Sequence, residues 1–303
     1  MGVAGTIPAV TVHLFSFEPA GKAPHRSDVL SAQTTGFRPH IVGGNRSPFI
    51  PIPGKVPVNR RPNPCTLEQV EFKDLGCIPY EAAWKHQQTL LEDLIRTKRH
   101  NRADKLPAAE RLPTRHHLLF CEHTPVFTLG RSGAADHLLL DEEGLREKGI
   151  EFFRINRGGD ITFHGPGQLV GYPILDLDRF SPDVHRYVRQ LEEAVIRTLA
   201  GYGIDSCRMD AHTGVWLPAK GWLPARKICA IGVHLSRWVT MHGFAFNINT
   251  DLDYFRHIIP CGIRDQDKDV TSLARELGGP VPMEEVKRVL RHQLAELFGF
   301  EYV

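Results

Sequence analysis

In PYEAAWKHQQTLLEDLIRTK (79–98), Ala83, Trp84, Gln87, Leu91, Leu94 and Ile95 fall near one face at helical spacing, so the segment predicts a helix. Residues 96–115 are charged and interrupted by proline, which predicts a loop or insertion. HLLFCEHTPVFTLG then places two short apolar runs around a polar turn, two strands. DEEGLREKG predicts a short helix ending at Gly149, and EFFRIN a further strand. In SPDVHRYVRQLEEAVIRTLAGYG, Val184, Val188, Leu191, Val195 and Leu199 form a stripe. Ser181 is the expected cap, Pro182 the first helical residue, and Gly201 and Gly203 the stop. TGVWL, KICAIGVHL and WVTMHGFAFNIN read as strands. MEEVKRVLRHQLAELFGF predicts a closing helix with Val286, Leu290, Leu294 and Leu297 inward. Strands gather in clusters with helices between them, without regular βαβ alternation. The expected fold is therefore α+β, a mixed β-sheet flanked by helices.

Composition divides the chain. Residues 1–64 hold ten of the 22 prolines and seven of the 27 glycines, and show no helical apolar period. They are expected to be a flexible leader, with residues 65–303 as one domain. The leader carries seven Lys or Arg against Glu18 and Asp28, whereas the body has 30 basic and 33 acidic residues. The basic pI near 8.2 thus comes from the tail, and bulk charge gives the body no support as a nucleic-acid binder. No apolar run reaches the roughly 18 residues of a membrane span, and no secretory or mitochondrial signal fits. The expected compartment is the cytoplasm. The six cysteines (65, 77, 121, 207, 229, 261) include no C-x-x-C pair, so neither a zinc site nor a disulfide framework is expected.

Three stretches could carry chemistry. RINRGGDITFHGPGQLVGYPI (154–174) interrupts β structure with four glycines and a proline. Its glycine spacing is neither a dinucleotide fingerprint nor a P-loop. Arg157 beside Gly158-Gly159 suits an acyl or phosphate oxygen; His164-Gly165-Pro166-Gly167 is equally readable as a tight turn. In ARKICAIG (225–232), Lys227 opens an apolar strand and faces either solvent or a pocket, where desolvation would make it a usable proton acceptor. In HIIPCGI (257–263), Cys261 lies between Pro260 and Gly262 at the end of an apolar run. A turn-borne thiol there is more reachable than Cys229 within its strand, and needs a basic neighbour to form thiolate.

Together these stretches resemble the octanoyltransferase family of lipoate biosynthesis, within the biotin/lipoate protein ligase superfamily. The matching pieces are RGGDITFHGPGQLVGYPILDL (157–177), TGVWL (213–217), ARKICAIGVHLSRWVTMHGFAFNINTDL (225–252), IIPCGI (258–263) and VTSLARELG (270–278). The resemblance spans roughly residues 67–303 and implies a ligase-like catalytic domain. It implies an acyltransferase in which Cys261 takes octanoyl from octanoyl-acyl carrier protein as a thioester, with Lys227 as acid and base. The lysine Nε of a lipoyl domain then attacks, giving an amide. Implied acceptors are the lipoyl domains of 2-oxoacid dehydrogenase E2 subunits and the glycine cleavage H protein; no cofactor, metal, nucleic acid or membrane is implied. The family's substrate-contacting segments fall on Arg157, Gly158, Gly159, Asp160, Ile161, Thr162, Phe163 and His164, on Ala230, Ile231 and Gly232, and on Gly243, Phe244 and Ala245. On this basis the glycines of 158–167 are expected to clear one wall of an acyl tunnel. His164 either orients the thioester or incoming amine, or is a structural turn residue. The basic stretch 96–115 either docks carrier protein or is a solvated loop. The alternative enzyme is an ATP-dependent lipoate or biotin ligase, which shares the fold but does not need Cys261.

Overall fold

The computed structural model describes residues 67–102, 106–259 and 268–303. The expected leader (1–64) and Cys261 lie outside the described residues. The chain runs β1 (Glu68–Ile78), α1 (Tyr80–Asn101), β2 (His116–His123), β3 (Val126–Leu129), α2 (Glu142–Glu147), β4 (Glu151–Arg154), β5 (Ile161–His164) and β6 (Gln168–Ile174). It continues through α3 (Val184–Gly201), β7 (Cys207–Met209), β8 (His212–Leu217), β9 (Ala225–Ser236) and β10 (Val239–Asn247). The last elements are β11 (Lys268–Val270), α4 (Leu273–Leu277), α5 (Met283–Phe298) and β12 (Phe300–Tyr302).

The main sheet has the order β12-β1-β2-β6-β10-β9-β8-β7, with β11 added beside β9. The pairs β12–β1, β1–β2 and β11–β9 are parallel and the rest antiparallel, so the sheet is mixed as expected. A smaller sheet, β4-β3-β5, stands apart. Alternation along the strands sends neighbouring residues to opposite faces. Leu119 and Cys121 of β2 join Val170, Tyr172 and Ile174 of β6 under Ala83, Leu91 and Leu94 of α1. Leu118 instead lines a small apolar cavity with Leu294 and Phe298 of α5, and α3 packs against α5. Helices therefore cover both faces. The small sheet closes its own core from Phe127, Leu129, Ile161, Phe163 and Ile258. Among the described residues no helix is long and apolar enough to cross a membrane.

Three boundaries depart from the pattern. The first helix runs to Asn101, past the expected start of the loop at 96, because Lys98 is buried. Its ammonium is held by Asp176, by Asp178 Oδ2 at 2.6 Å and by the Arg237 carbonyl at 2.8 Å, and Arg102 pairs with Asp178. Part of the basic stretch is thus structural. The cap of α3 is Asp183, not Ser181; its carboxylate accepts the Arg186 N–H at 3.0 Å, and as an anion it also complements the helix dipole. Strand β1 was not anticipated, because along its eleven residues only Val70 is buried and the apolar signal is diluted.

Candidate active site

The RGGD loop is pinned on two sides. Arg157 Nη2 donates to the Thr128 carbonyl at 2.6 Å and to Thr128 Oγ1 at 3.0 Å, and Nη1 donates to the Gly158 carbonyl at 3.0 Å. Gly158 N–H donates to Val233 O of β9 at 2.9 Å. Opposite, the carbonyls of Arg157, Gly159 and Asp160 accept from Arg131, Ser132 and Gly130 N–H at 3.0–3.2 Å. Gly158 N–H and both Arg157 Nη atoms are thus engaged by oxygens of the protein itself.

Close packing and backbone conformation require several of the glycines. Gly159 has φ of 85°, and a Cβ on Gly130 would stand 2.2 Å from its carbonyl. A Cβ on Gly165 would enter the Phe163 ring at 2.4 Å, and one on Gly167, at φ of 80°, would meet the Asn249 carbonyl at 2.5 Å. These positions admit the protein's own backbone and rings. Ile161 and Phe163 likewise belong to the small sheet's core, Phe163 stacking on Tyr254 at 4.4 Å. Thr162, pointing the other way along β5, is half-buried.

His164 is enclosed. Its Nδ1–H donates to Gln168 Oε1 at 2.8 Å, Thr128 Oγ1 lies 3.3 Å from Nε2, and the ring stacks on Tyr80 at 6.0 Å. Burial, with lesser help from neighbouring His123 and Arg157, pushes its pKa well below the usual histidine value, so it is neutral. Gln168 Nε2 continues the chain to Asn247 Oδ1 at 2.9 Å, and Asn247 Nδ2 to the Thr271 carbonyl at 3.0 Å. Thr271 N–H then donates to the Lys227 carbonyl at 2.9 Å. One network thus joins the RGGD loop, the HGPGQ turn and the lysine strand.

Lys227 resolves its two readings in favour of burial: it is 8% exposed, with Nζ 4.7 Å from the Trp216 ring centroid of the paired strand β8. Such a cation–π contact contributes about 0.5–2 kcal/mol. The register also unites two segments the sequence kept apart. Ala230, Ile231 and Gly232 are the cross-strand partners of Ala245, Phe244 and Gly243. The glycines allow close approach, since a Cβ on Gly232 would lie 2.8 Å from the Gly158 carbonyl and one on Gly243 2.2 Å from the Gly171 carbonyl. The Phe244 ring lies over Gly171 and edge-on to Phe120, committed to the core. Of these six residues only Ala230, Ile231 and Gly232 are part-exposed.

Both described flanks of the cysteine segment are anchored here. On one side, Ile259 N–H donates to the His137 carbonyl at 2.8 Å, and His137 Nδ1 meets Asp160 Oδ2 at 2.5 Å. On the other, β11 runs beside Ala225–Lys227. Cys229 and Cys121 are poor nucleophiles by contrast, burial raising both thiols far above the usual range. Sequence reasoning missed Thr128, His137 and Asn247. Isolated polar residues in apolar runs were the available signal, but their partners are far away in the chain.

A family model described as "Lipoyl protein ligase A/B catalytic domain" matches residues 79–295. The chain is similar to the octanoyltransferase of Flavobacterium johnsoniae, 53% identical over 237 residues, covering 78% of this chain and 99% of that protein. It is 52% identical over 235 residues to the octanoyltransferase of Christiangramia forsetii, covering 77% of this chain and 97% of that one. In fold it is similar to a chain of an archaeal lipoylation system, a bi-partite lipoate protein ligase and its E2 lipoyl domain from Thermoplasma acidophilum. The TM-score there is 0.55 at 18% identity, covering 78% of this chain and 86% of that chain. With a mixed sheet of this type and about half of the aligned residues identical to proteins of one name, the chain belongs to the lipoyl protein ligase A/B catalytic-domain family, among its octanoyltransferases.

Proposed function

We propose that the protein transfers an octanoyl group from octanoyl-acyl carrier protein to the Nε of a lysine on a lipoyl domain, through a thioester on Cys261. Cys261 thiolate attacks the donor carbonyl, the donor C–S bond breaks, and the carrier thiolate leaves and takes up a proton. The acceptor amine then attacks the enzyme thioester, forms the amide and returns the Cys261 thiolate. Thioester to amide is downhill, so the reaction needs no ATP. Lys227 is the acid and base, taking the thiol proton and later the amine proton. In this reading the catalytic unit is residues 65–303, preceded by a leader, and works in the cytoplasm.

The observation that supports it best is the buried Lys227, whose strand pairs with the described residues just after the cysteine segment. The test is intact mass after incubation with octanoyl-carrier protein without ATP, beside free octanoate with ATP. The expected result is one added octanoyl group in the wild type from the carrier donor alone, absent in Cys261→Ser and slow to form in Lys227→Ala. An adduct that survives Cys261→Ser, or product only from free acid and ATP, refutes the mechanism.

A further inference from the structure

His242 adopts a backbone conformation that strand residues with side chains avoid. It lies inside β10, buried, with φ of 60°. This left-handed region costs a residue with a Cβ roughly 1–2 kcal/mol. Strain of that kind persists only where the surroundings over-determine it, and it gathers at functional sites. Here both polar ends of the residue are held. The N–H donates to Gln87 Oε1 of α1 at 3.0 Å, and ring Nε2 donates to Asn156 Oδ1 at 2.9 Å. A left-handed residue within a strand re-aims its side chain, and this one reaches the residue directly before Arg157.

The register adds a second hold. The cross-strand partner of His242 is Val233, and the Val233 carbonyl accepts the Gly158 N–H at 2.9 Å. One strand pair therefore grips the loop at two points, Asn156 through a side chain and Gly158 through main chain. Between those points Arg157 turns inward to Thr128. Burial, followed by the charge of Arg157 and nearby His234, lowers the His242 pKa to about 3. The imidazole is thus held uncharged as the donor to Asn156 near neutral pH.

We infer that His242 is a positioning residue for acyl transfer, fixing the Asn156–Gly159 loop over the part-exposed Ala230–Gly232 stretch of β9. The inference rests on the acyl-transfer reading above and deepens it. The His242–Asn156 bond, beside the Gly158–Val233 bond, holds the loop's distance from Lys227's strand without using any group of the reaction itself.

The test is a cycle of His242→Asn, Asn156→Ala and the double variant. Asparagine tolerates left-handed φ better than other non-glycine residues but is too short to reach Asn156. Each single variant should lower kcat/KM by about 10- to 100-fold, the scale on which a misplaced site element acts. The loss should fall mainly on kcat, the melting temperature should stay within a few degrees, and the double variant should be no worse than the poorer single. His242→Gln, whose amide is long enough to reach, should restore part of the rate. Amide exchange at Gly158 should speed up in His242→Asn. Wild-type rates in the single variants, losses that multiply in the double, or unchanged Gly158 exchange would overturn the inference. A wild type that forms no octanoyl adduct would instead sink the functional reading, while the Gly158 exchange still reports on the loop.

Discussion

Thr128 is the position where one atom's removal should be felt most widely. It is fully buried in β3, and its hydroxyl sits between Arg157 Nη2 at 3.0 Å and His164 Nε2 at 3.3 Å. Thr128→Val keeps the shape and removes only the hydroxyl. Arg157 retains the Thr128 carbonyl, so its charge stays partnered, but loses one charge-assisted bond. His164 Nε2 loses a donor in a place water does not reach, since the residue is 7% exposed. A buried acceptor left unmade costs about 1–3 kcal/mol, and the lost bond to the guanidinium adds up to a similar amount. The expected total is about 2–3 kcal/mol. For a domain of this size that corresponds to a fall in Tm of roughly 5–10 °C. Thr128→Ser keeps both bonds, gives up one methyl, and should lose about 1 kcal/mol. Urea unfolding and calorimetry of the three proteins supply the comparison, with octanoyl transfer measured alongside. If valine proves no more damaging than serine, the hydroxyl is not the junction of this network and the account of the loop's anchoring fails.

Lys98→Met should destabilise by about 3–5 kcal/mol, because Asp176, itself buried, loses its cation; equal stability in urea would show the pair to be dispensable. Gly167→Ala should cost more than about 1 kcal/mol, since the Cβ meets the Asn249 carbonyl at 2.5 Å and the φ of 80° is strained for alanine; an unchanged Tm refutes it. Stability should also fall as pH drops below about 6.5. His123 and His242, whose pKa values burial lowers to about 4 and about 3, and His164, which burial also holds well below the usual histidine value, bind protons in the unfolded chain before they do in the native state. Their contribution is complete above the unfolded pKa and is lost towards the folded one, at up to about 1.4 kcal/mol per pH unit for each. Urea midpoints at pH 7.5, 6.5 and 5.5 measure it, and a flat profile would contradict their burial as neutral rings.

The element types were legible wherever a periodic apolar stripe faced a single core. The closing helix shows this: Val286, Leu290 and Leu294 are buried and Gly299 at φ of 70° ends it. The glycine- and proline-broken stretch at 154–174 also stood out locally, because those residues interrupt apolar runs. What those residues do was not legible. Only the packed structure shows that Arg157 turns to Thr128, 29 positions earlier, and that the glycines admit neighbouring backbone and rings. The pairing of Gly232 with Gly243 and the grip of His242 on Asn156, 86 positions away, also come from the fold alone. A sequence records which groups are available at short range. Hydrogen bonds and burial depend on distances that only long-range chain closure sets, and so they fix what each group is used for.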